Sequence, residues 1–281
     1  MDQPVISTTG LMKEFGQHRV LDDLNLTVPR HSIYGFIGAN GSGKTTTINI
    51  LLGFLSATSG SAEVLGTARG TLPATPIKGL GFLPDVPELF PWLRPLDALI
   101  TLASISGIPH DLAAQRAHDL LDLVGLRHAQ GRVGGFSRGM KQRLGIAAVL
   151  VDSPDLLILD EPTSALDPLG RKMVLDVISE LHGLVTILFS SHLLSDVEQV
   201  CTHVGMLHHG RLLTQGSLPD ILDSSAQQLS HVTTTVNTHR ASEVVALLRQ
   251  HGYDAQISHR TQNLEQVYEA QIQLSSSTIR S

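Results

Sequence analysis

The amino-acid sequence predicts an α/β fold with a mostly parallel core sheet, preceded by an antiparallel β segment. Residues 5–31 alternate short apolar stretches with turns, which is typical of antiparallel strands. From Ile33 onwards, short apolar runs alternate with longer stretches of helical periodicity. The four apolar residues Leu156–Leu159 predict a strand that is buried on both faces, as parallel strands are. Together these observations favour an α/β sheet with helices packed on it.

The predicted elements follow one another in the order that such a sheet requires. After the antiparallel segment they are a strand at 33–37, a helix from 44, a turn and strand within 59–66, a strand at 80–83, helices at about 96–106, 111–124 and 138–151, a strand at 156–159, a helix at about 168–182, a strand at 185–189, a helix at 193–201, and a hairpin of strands at 204–207 and 211–214. Prolines at 84, 87, 91 and 95 exclude a regular element there and predict a shaped loop.

The sequence also predicts how the chain divides into a large domain, a linker, an appendage and a tail. We expect one large domain over residues 3–222, with a helical subdomain at about 86–152. The polar stretch 223–230 predicts a linker, and residues 231–274 predict a small α+β appendage. Residues 275–281 are rich in serine and are expected to form a disordered tail.

The composition limits the classes of partner. The chain has 281 residues, 42% of them hydrophobic, and a formal net charge of −6, so it offers no basic surface for nucleic acid. No apolar run approaches the ~18–20 residues that cross a bilayer, and the N-terminus lacks the pattern of a signal peptide. Cys201 is the only cysteine, which favours a reducing compartment. We expect a soluble cytoplasmic protein that reaches a membrane only through a partner, without direct insertion.

The stretch from Gly38 to Thr45 fits the phosphate-loop pattern G-x-x-x-x-G-K-[ST], with a strand before it and a helix after it. Its glycines let backbone N–H groups turn inward around a polyphosphate, and the helix directs its positive end at the same anion. Lys44 would reach the β- and γ-phosphates, and the Thr45 hydroxyl would ligate Mg²⁺. The alternative is a glycine-rich turn without a ligand. The predicted binding residues are Gly38, Ala39, Asn40, Gly41, Ser42, Gly43, Lys44, Thr45 and Thr46.

Two carboxylates, Asp160 and Glu161, directly follow the predicted strand 156–159. In open α/β sheets, ligands bind outside the carboxyl ends of the strands. A carboxylate that binds magnesium is the expected complement of a phosphate loop. The sequence therefore predicts that these carboxylates lie beside the loop.

Other candidate residues leave two interpretations open. Phe15 lies just before a loop, and is either an aromatic that stacks on a nucleotide base or an ordinary edge-strand residue. Trp92, the only tryptophan, is either a packing residue or, if exposed, part of a docking surface. The 14 histidines lack the paired spacing of a zinc site, so we do not expect a metal site built from them.

Taken in order, these motifs resemble the ATP-binding cassette subunits of ABC transporters over about residues 3–222. The motifs that carry the resemblance are the phosphate loop at 38–46, Leu83–Asp85 at the Q-loop position, FSRGMKQR at 136–143, similar to the ABC signature, LLILDEP at 156–162, similar to the Walker B segment, SALD at 164–167, similar to the D-loop, and His192 at the switch position. The form of the signature is similar to that of the ABC-2 type branch, which mostly exports.

The resemblance implies a set of catalytic roles. Asp160 would hold Mg²⁺, mostly through water. Glu161 would act as the base that polarises the attacking water. His192 would donate a hydrogen bond to the γ-phosphate, and Lys44 would complete the catalytic set.

It also implies that the site is shared between two copies of the chain. Ser137 and Gly139, at a helix N-terminus, would bind the γ-phosphate of ATP held by a second copy. The two copies would stack head-to-tail with Asp167 at their interface. In this family setting Phe15 is expected to stack on the adenine.

The sequence departs from the family pattern in three places: at the Q-loop position, in the signature, and at His31, which occupies a turn where the family usually has glycine. Asp85 occupies the place of a glutamine, and it could touch magnesium only if its loop moved inward. The signature carries Arg138, which adds a positive charge near the phosphate, and Met140, which loses an amide.

The expected function is that of an ATP-binding and ATP-hydrolysing subunit on the inner face of the cell membrane. It would power a separate ABC-2 type permease, with ATP and Mg²⁺ as cofactors, through ATP-driven closure of the dimer. Two alternatives remain: a soluble ABC ATPase that acts on nucleic acid or ribosomes, and a regulatory nucleotide-binding module with little hydrolysis.

Overall fold

The computed structural model describes residues 3–72 and 75–228, and the single residues 247 and 250. Contacts between residues divide the chain into two units, Met1–Leu218 and Pro219–Ser281. The first unit contains two sheets, and it carries every motif that the sequence singled out.

The N-terminal part forms the antiparallel sheet that the sequence predicted. Its strands are β1 (Ile6–Phe15), β2 (His18–Leu24), β3 (Thr27–Val28), β5 (Ser59–Val64) and β6 (Thr67–Arg69). Their order is β2-β1-β5-β6, and β3 also pairs with β1. One face of the sheet is buried in the core through residues such as Ile6, Leu11 and Val64.

The second sheet is the core sheet of the α/β fold. Its strands are β4 (Ile33–Ile37), β7 (Leu80–Leu83), β8 (Leu156–Leu159), β9 (Thr186–Ser191), β10 (His203–His208) and β11 (Arg211–Ser217). Their order is β11-β10-β4-β9-β8-β7, and all neighbours are parallel except the β10–β11 hairpin. All residues of β4, β8 and β9 are buried, which explains why β8 is apolar throughout and why apolar residues predominate in β4.

Helices pack against this sheet and against one another. They are α1 (Lys44–Leu52), α2 (Pro95–Ile105), α3 (His110–Leu123), α4 (Arg138–Leu150), α5 (Pro168–Glu180), α6 (Leu194–Val200) and α7 (Leu218–Gln228), with a short 3₁₀ helix at Val133–Gly135. Helix α4 packs against α2, α3, α5 and the edge strand β7. No helix in the described part of the chain is long and apolar enough to span a bilayer.

The strand order decides where the functional segments lie. Because β4, β9 and β8 are consecutive and parallel, their carboxyl ends meet at one edge of the sheet. The loop from Gly38, the segment from Ser190 and the carboxylates from Asp160 therefore become neighbours. Gly38 N confirms this placement, since it donates to the carbonyl oxygen of Ser191 at 3.3 Å.

One predicted segment has a different structure. Helix α7 extends to Gln228 and so occupies most of the stretch 223–230, which we predicted to be a linker. The sequence there contains alanine and glutamine, which form helices well, and no glycine or proline that would interrupt one. The predicted appendage at 231–274 and tail at 275–281 lie outside the described residues, apart from the two single positions.

Candidate active site

The loop between β4 and α1 is a tight turn that depends on glycine at two positions. A Cβ atom on Gly38 would lie 2.4 Å from Ser42 Oγ and 2.5 Å from the carbonyl oxygen of Leu207, so no side chain fits there. Gly43 has a φ of 111°, which L-residues rarely adopt. Glycine at these two positions lets the loop pack closely against the surrounding protein while keeping its tight turn.

Unused hydrogen-bond donors collect at this loop. Helix α1 begins after Gly43 with no side-chain cap. The backbone N–H of Thr47 donates to the carbonyl oxygen of Gly43 at 2.9 Å and is the first donor within the helix, so the amides of residues 44–46 have no intrahelical acceptor. Ser42 Oγ is buried and has no hydrogen-bond partner within the described residues. These donors and the positive end of the helix fit a polyphosphate.

The three predicted catalytic residues lie together, because the Glu161 carboxylate contacts both Lys44 and His192. Lys44 Nζ donates to the carbonyl oxygen of Gly38 at 2.7 Å and lies 3.2 Å from Glu161 Oε1. His192 Nδ1 lies 2.7 Å from Glu161 Oε2. The Glu161 carboxylate therefore bridges the lysine of the phosphate loop and the histidine that follows β9. A partly buried carboxylate in this position can accept a proton from a water beside the phosphates.

The backbone of Glu161 is held in an uncommon conformation. Its φ is +48°, in the left-handed region that residues other than glycine seldom occupy. Two hydrogen bonds fix it: Glu161 N donates to Ser190 Oγ at 2.8 Å, and Ser164 N donates to the carbonyl oxygen of Glu161 at 3.0 Å. Such strain is retained where the surrounding structure enforces it, and it often marks functional sites.

Asp160 is the buried member of the acidic pair. Ser190 Oγ donates to Asp160 Oδ1 at 2.6 Å, and Thr45 Oγ1 lies 3.4 Å from Asp160 Oδ2. Burial raises the pKa of Asp160, and the hydrogen bond from Ser190 offsets part of that increase. Ser190 thus contacts both acidic residues, a role that we did not predict from the sequence. The only sequence signal was a hydroxyl at the end of a strand next to the histidine.

Thr45 and Asp160 form the oxygen pair that could hold Mg²⁺. A hydroxyl and a carboxylate beside a phosphate loop suit this ion, which keeps most of its ligands as water and phosphate oxygens. Within residues 3–72 and 75–228 no group of three His, Cys, Asp or Glu side chains could hold a metal by itself. The donor set therefore needs the oxygens of a nucleotide to be complete.

Asp85 does not join this pair. Its carboxylate Oδ1 accepts a hydrogen bond at 2.9 Å from Nη2 of Arg138, at the start of α4. The sequence predicted Asp85 as a metal ligand on the basis of its loop position. In this structure Arg138 is the hydrogen-bond partner of the carboxylate, and the role of Asp85 as a metal ligand stays a prediction.

The remaining predicted residues lie apart from the phosphate loop of their own chain. Ser137 caps α4 and accepts from Met140 N at 3.2 Å, and Asp167 caps α5 and accepts from Gly170 N at 3.1 Å. Phe15 is half exposed. No hydrogen bond within the described residues joins these positions, or Gly139, to the loop. Their roles toward the nucleotide stay predictions.

Trp92 is 62% exposed, and its ring meets the ring of Phe90 edge-on with the centroids 5.9 Å apart. The interpretation as a buried packing residue is therefore wrong. The alternative, that Trp92 belongs to an exposed surface, agrees with the structure.

Comparison with known proteins places this arrangement in a family. The family described as "ABC transporter" matches residues 21–164. The chain is 39% identical to the bacitracin transport ATP-binding protein BcrA of Bacillus licheniformis over 250 residues, which cover 88% of this chain and 79% of that protein. It is 32% identical to the daunorubicin/doxorubicin resistance ATP-binding protein DrrA of Streptomyces peucetius, with 86% and 79% covered.

A solved structure shows the same fold. The ATP-binding subunit of an ABC transporter superposes with a TM-score of 0.71 at 27% identity, and the match covers 95% of this chain and 99% of that one. The phosphate loop, the acidic strand end and the histidine that follows β9 agree with these matches. The chain belongs to the ABC transporter family, as an ATP-binding subunit with ATPase activity.

Proposed function

We propose that this chain hydrolyses ATP with Mg²⁺ to power a separate ABC-2 type permease that exports its substrate. The observation that carries the proposal is the contact of Lys44, Glu161 and His192 beside the phosphate loop. ABC ATP-binding subunits work with separate transmembrane permeases. The names of the relatives, which refer to bacitracin transport and to daunorubicin/doxorubicin resistance, favour an antibiotic-like substrate. The chain would be held at the inner face of the membrane by its permease.

The chain's own residues divide the catalytic work. The amides of residues 44–46 and the Lys44 ammonium would bind the β- and γ-phosphates, while Thr45 and Asp160 would hold Mg²⁺. Bound Mg²⁺ would neutralise phosphate charge. As Lys44 turns to the phosphates, the Glu161 carboxylate loses a partner and becomes free to accept a proton from the attacking water. His192 would keep that carboxylate oriented and donate to the γ-phosphate.

The second part of the proposal is a head-to-tail dimer. Ser137 and Gly139 at the start of α4 present helix amides that suit a phosphate, yet they do not contact the loop of their own chain. A second copy, arranged symmetrically, would bring them to the ATP of the first. Asp167, exposed at the start of α5, would lie at the same interface.

The third part is the surface that meets the permease. Val86 and Trp92 are 60% and 62% exposed and lie in the proline-rich segment between β7 and α2. Exposed apolar side chains grouped in a shaped loop are typical of a protein contact surface. We assign the segment 85–110 as the docking site for a helix of the permease, so that closure of the dimer can be passed on.

A photo-reactive amino acid at position 92 tests the assignment in native cells. We expect cross-links from position 92 to an integral membrane protein of several spans. The matched control is position 184, whose leucine is 76% exposed and lies on another surface loop. Cross-links to the membrane protein from position 184 but not from position 92, or capture of ribosomes or DNA, would contradict the proposal.

A further inference from the structure

Two residues that depart from the family pattern contact each other. Asp85 stands at the glutamine position of the Q-loop, and Arg138 stands within the signature. The Arg138 guanidinium donates to the Asp85 carboxylate at 2.9 Å, although the residues lie 53 positions apart in the sequence. Their side chains are 41% and 44% exposed, so the pair is accessible to solvent.

Arg138 is an unfavourable residue for its position, and Asp85 offsets this. A cation in the first turn of a helix opposes the positive end of the helix dipole. Helix α4 begins at Arg138 and has no acidic residue in its first turn. Asp85 therefore supplies, from a distant segment, the negative charge that the start of α4 lacks.

The segment around Asp85 is held to α4 at a second point. A Cβ atom on Gly145 would lie 2.6 Å from Leu83 Cδ1 and 3.1 Å from Pro87 Cβ, so α4 contacts this segment on both sides of Asp85. Two turns separate Gly145 from Arg138 along the helix. The segment and α4 are thus held together by close packing of Leu83 and Pro87 at Gly145 and by the ion pair at Arg138.

The same segment is tied to the acidic strand end. Asp160 N donates to the carbonyl oxygen of Leu83 at 2.9 Å, and Asp85 follows two residues later. A continuous path of contacts therefore runs from Asp160 through Leu83 and Asp85 to Arg138.

We propose that Asp85 is a positioning residue: through Arg138 it fixes the start of α4 relative to the strand end that carries Asp160. Its effect is on Ser137 and Gly139, which that start presents to the ATP of the second copy. The inference rests on the head-to-tail dimer of the proposed function. It is an alternative to the metal-ligand role that the sequence predicted for Asp85.

The test is a double-mutant cycle on ATP-driven dimerisation. The full chain carries Glu161→Gln as the parent, and Asp85→Asn, Arg138→Gln and the double variant are added to it. An exposed ion pair contributes a factor of about two to five in equilibrium. Since a symmetric dimer contains the pair twice, each single variant should weaken dimerisation about four- to 25-fold. Sedimentation with Mg²⁺ and ATP measures the effect, and thermal unfolding confirms that each variant is folded.

If Asp85 acts through Arg138, the double variant should dimerise no worse than either single variant, because each single variant already removes the same contact. Arg138→Lys should restore most of the affinity. The matched control is Asp176→Ala, which breaks another exposed pair, with Lys172, and should leave dimerisation unchanged.

Three results would overturn it. If the losses of dimerisation affinity multiply in the double variant, the two residues act independently. If no variant loses affinity, the pair does not affect dimerisation. A loss confined to Asp85→Asn that added Mg²⁺ reverses would make Asp85 a metal ligand. These outcomes leave the proposed function intact, whereas a parent chain that stays monomeric with ATP would contradict the dimer and the inference together.

Discussion

At the scale of single residues, one hydroxyl organises the acidic pair. Ser190 is fully buried, donates to the Asp160 carboxylate and accepts from the backbone N–H of Glu161. It thereby fixes the residue expected to hold Mg²⁺ and the residue expected to act as the base. The positive φ of Glu161 depends on the same hydroxyl.

Replacing this hydroxyl should cost both stability and activity. Ser190→Ala leaves the Glu161 N–H without a partner and removes a donor from a buried carboxylate, so we expect a loss of about 1–3 kcal/mol in the free energy of unfolding. Urea unfolding without nucleotide measures it, and ATP turnover should fall in parallel. Ser104→Ala on exposed α2 is the control and should lose less than half as much. Equal losses in the two variants would refute the special role of Ser190.

The buried charge of Asp160 leads to a prediction about pH. Because burial raises its pKa above the usual 3.8, the folded chain without nucleotide bears a cost for keeping this carboxylate ionised. Asp160→Asn should therefore be more stable than the wild type at neutral pH. As the pH falls through the folded-state pKa towards 3.8, the folded wild type takes up its proton first and the difference should shrink. Urea unfolding over a pH series measures this.

Adding Mg²⁺ and ATP provides the control for that series. If Asp160 holds the ion, the nucleotide should stabilise the wild type more than the variant and reverse their order at neutral pH. A variant that is less stable than the wild type without nucleotide, by a margin that grows as the pH rises, would contradict the account.

The role of a single residue could be predicted where the neighbouring sequence contains a recognisable pattern. Lys44 and Thr45 follow from a continuous pattern, and Asp160 and Glu161 follow from the end of an apolar strand. Ser190 could not be assigned, because its contacts depend on β9 lying beside β8 rather than elsewhere in the sheet. The contact between Asp85 and Arg138 could not be predicted either, since no periodicity or motif links Asp85 to α4.

At the scale of elements, the contact between β4 and α6 helps to position His192 beside the phosphate loop. A Cβ atom on Gly35 would lie 2.4 Å from Val197 Cγ1 and 3.1 Å from Cys201 Sγ. Strand β4 leads into the phosphate loop, and α6 begins two residues after His192. Their close approach therefore places the histidine relative to the phosphates.

Gly35→Ala should separate these two elements. The added methyl group meets a β-branched side chain that cannot turn away, so we expect a loss of about 1–3 kcal/mol in unfolding free energy. Hydrogen exchange should increase in α6 more than in α2. The control is Gly135→Ala, at a position where a Cβ meets nothing within 4 Å. Unchanged stability of Gly35→Ala would show that β4 and α6 are less tightly packed than described.

Most elements could be predicted because they carry their own periodicity. Strand β8 matches its apolar run, and α4 begins at Arg138, where the helix predicted at 138–151 also begins. The strand order could not be predicted, since the crossovers between β4, β9 and β8 depend on pairings far apart in sequence. Helix α7 was missed because polar composition suggested a linker, although the residue types also permit a helix.

At the scale of the whole molecule, the chain contains a phosphate loop and a signature segment that no hydrogen bond joins within the described residues. The loop, the acidic strand end and the histidine meet within one chain, whereas Ser137 and Gly139 remain apart from them. We therefore propose that the single chain binds ATP and that full catalysis needs a pair of chains. The permease would receive the closing motion through the segment 85–110.

The most direct test of this account is ATP turnover of the full chain with Glu161 intact or replaced. Phosphate release and the mass of the complex are measured together for the wild type, for Glu161→Gln and for the exposed control Glu180→Gln. We predict that Glu161→Gln hydrolyses ATP at least about 100-fold more slowly and accumulates as an ATP-bound dimer, while the control matches the wild type. Turnover of Glu161→Gln equal to that of the wild type would contradict the central claim.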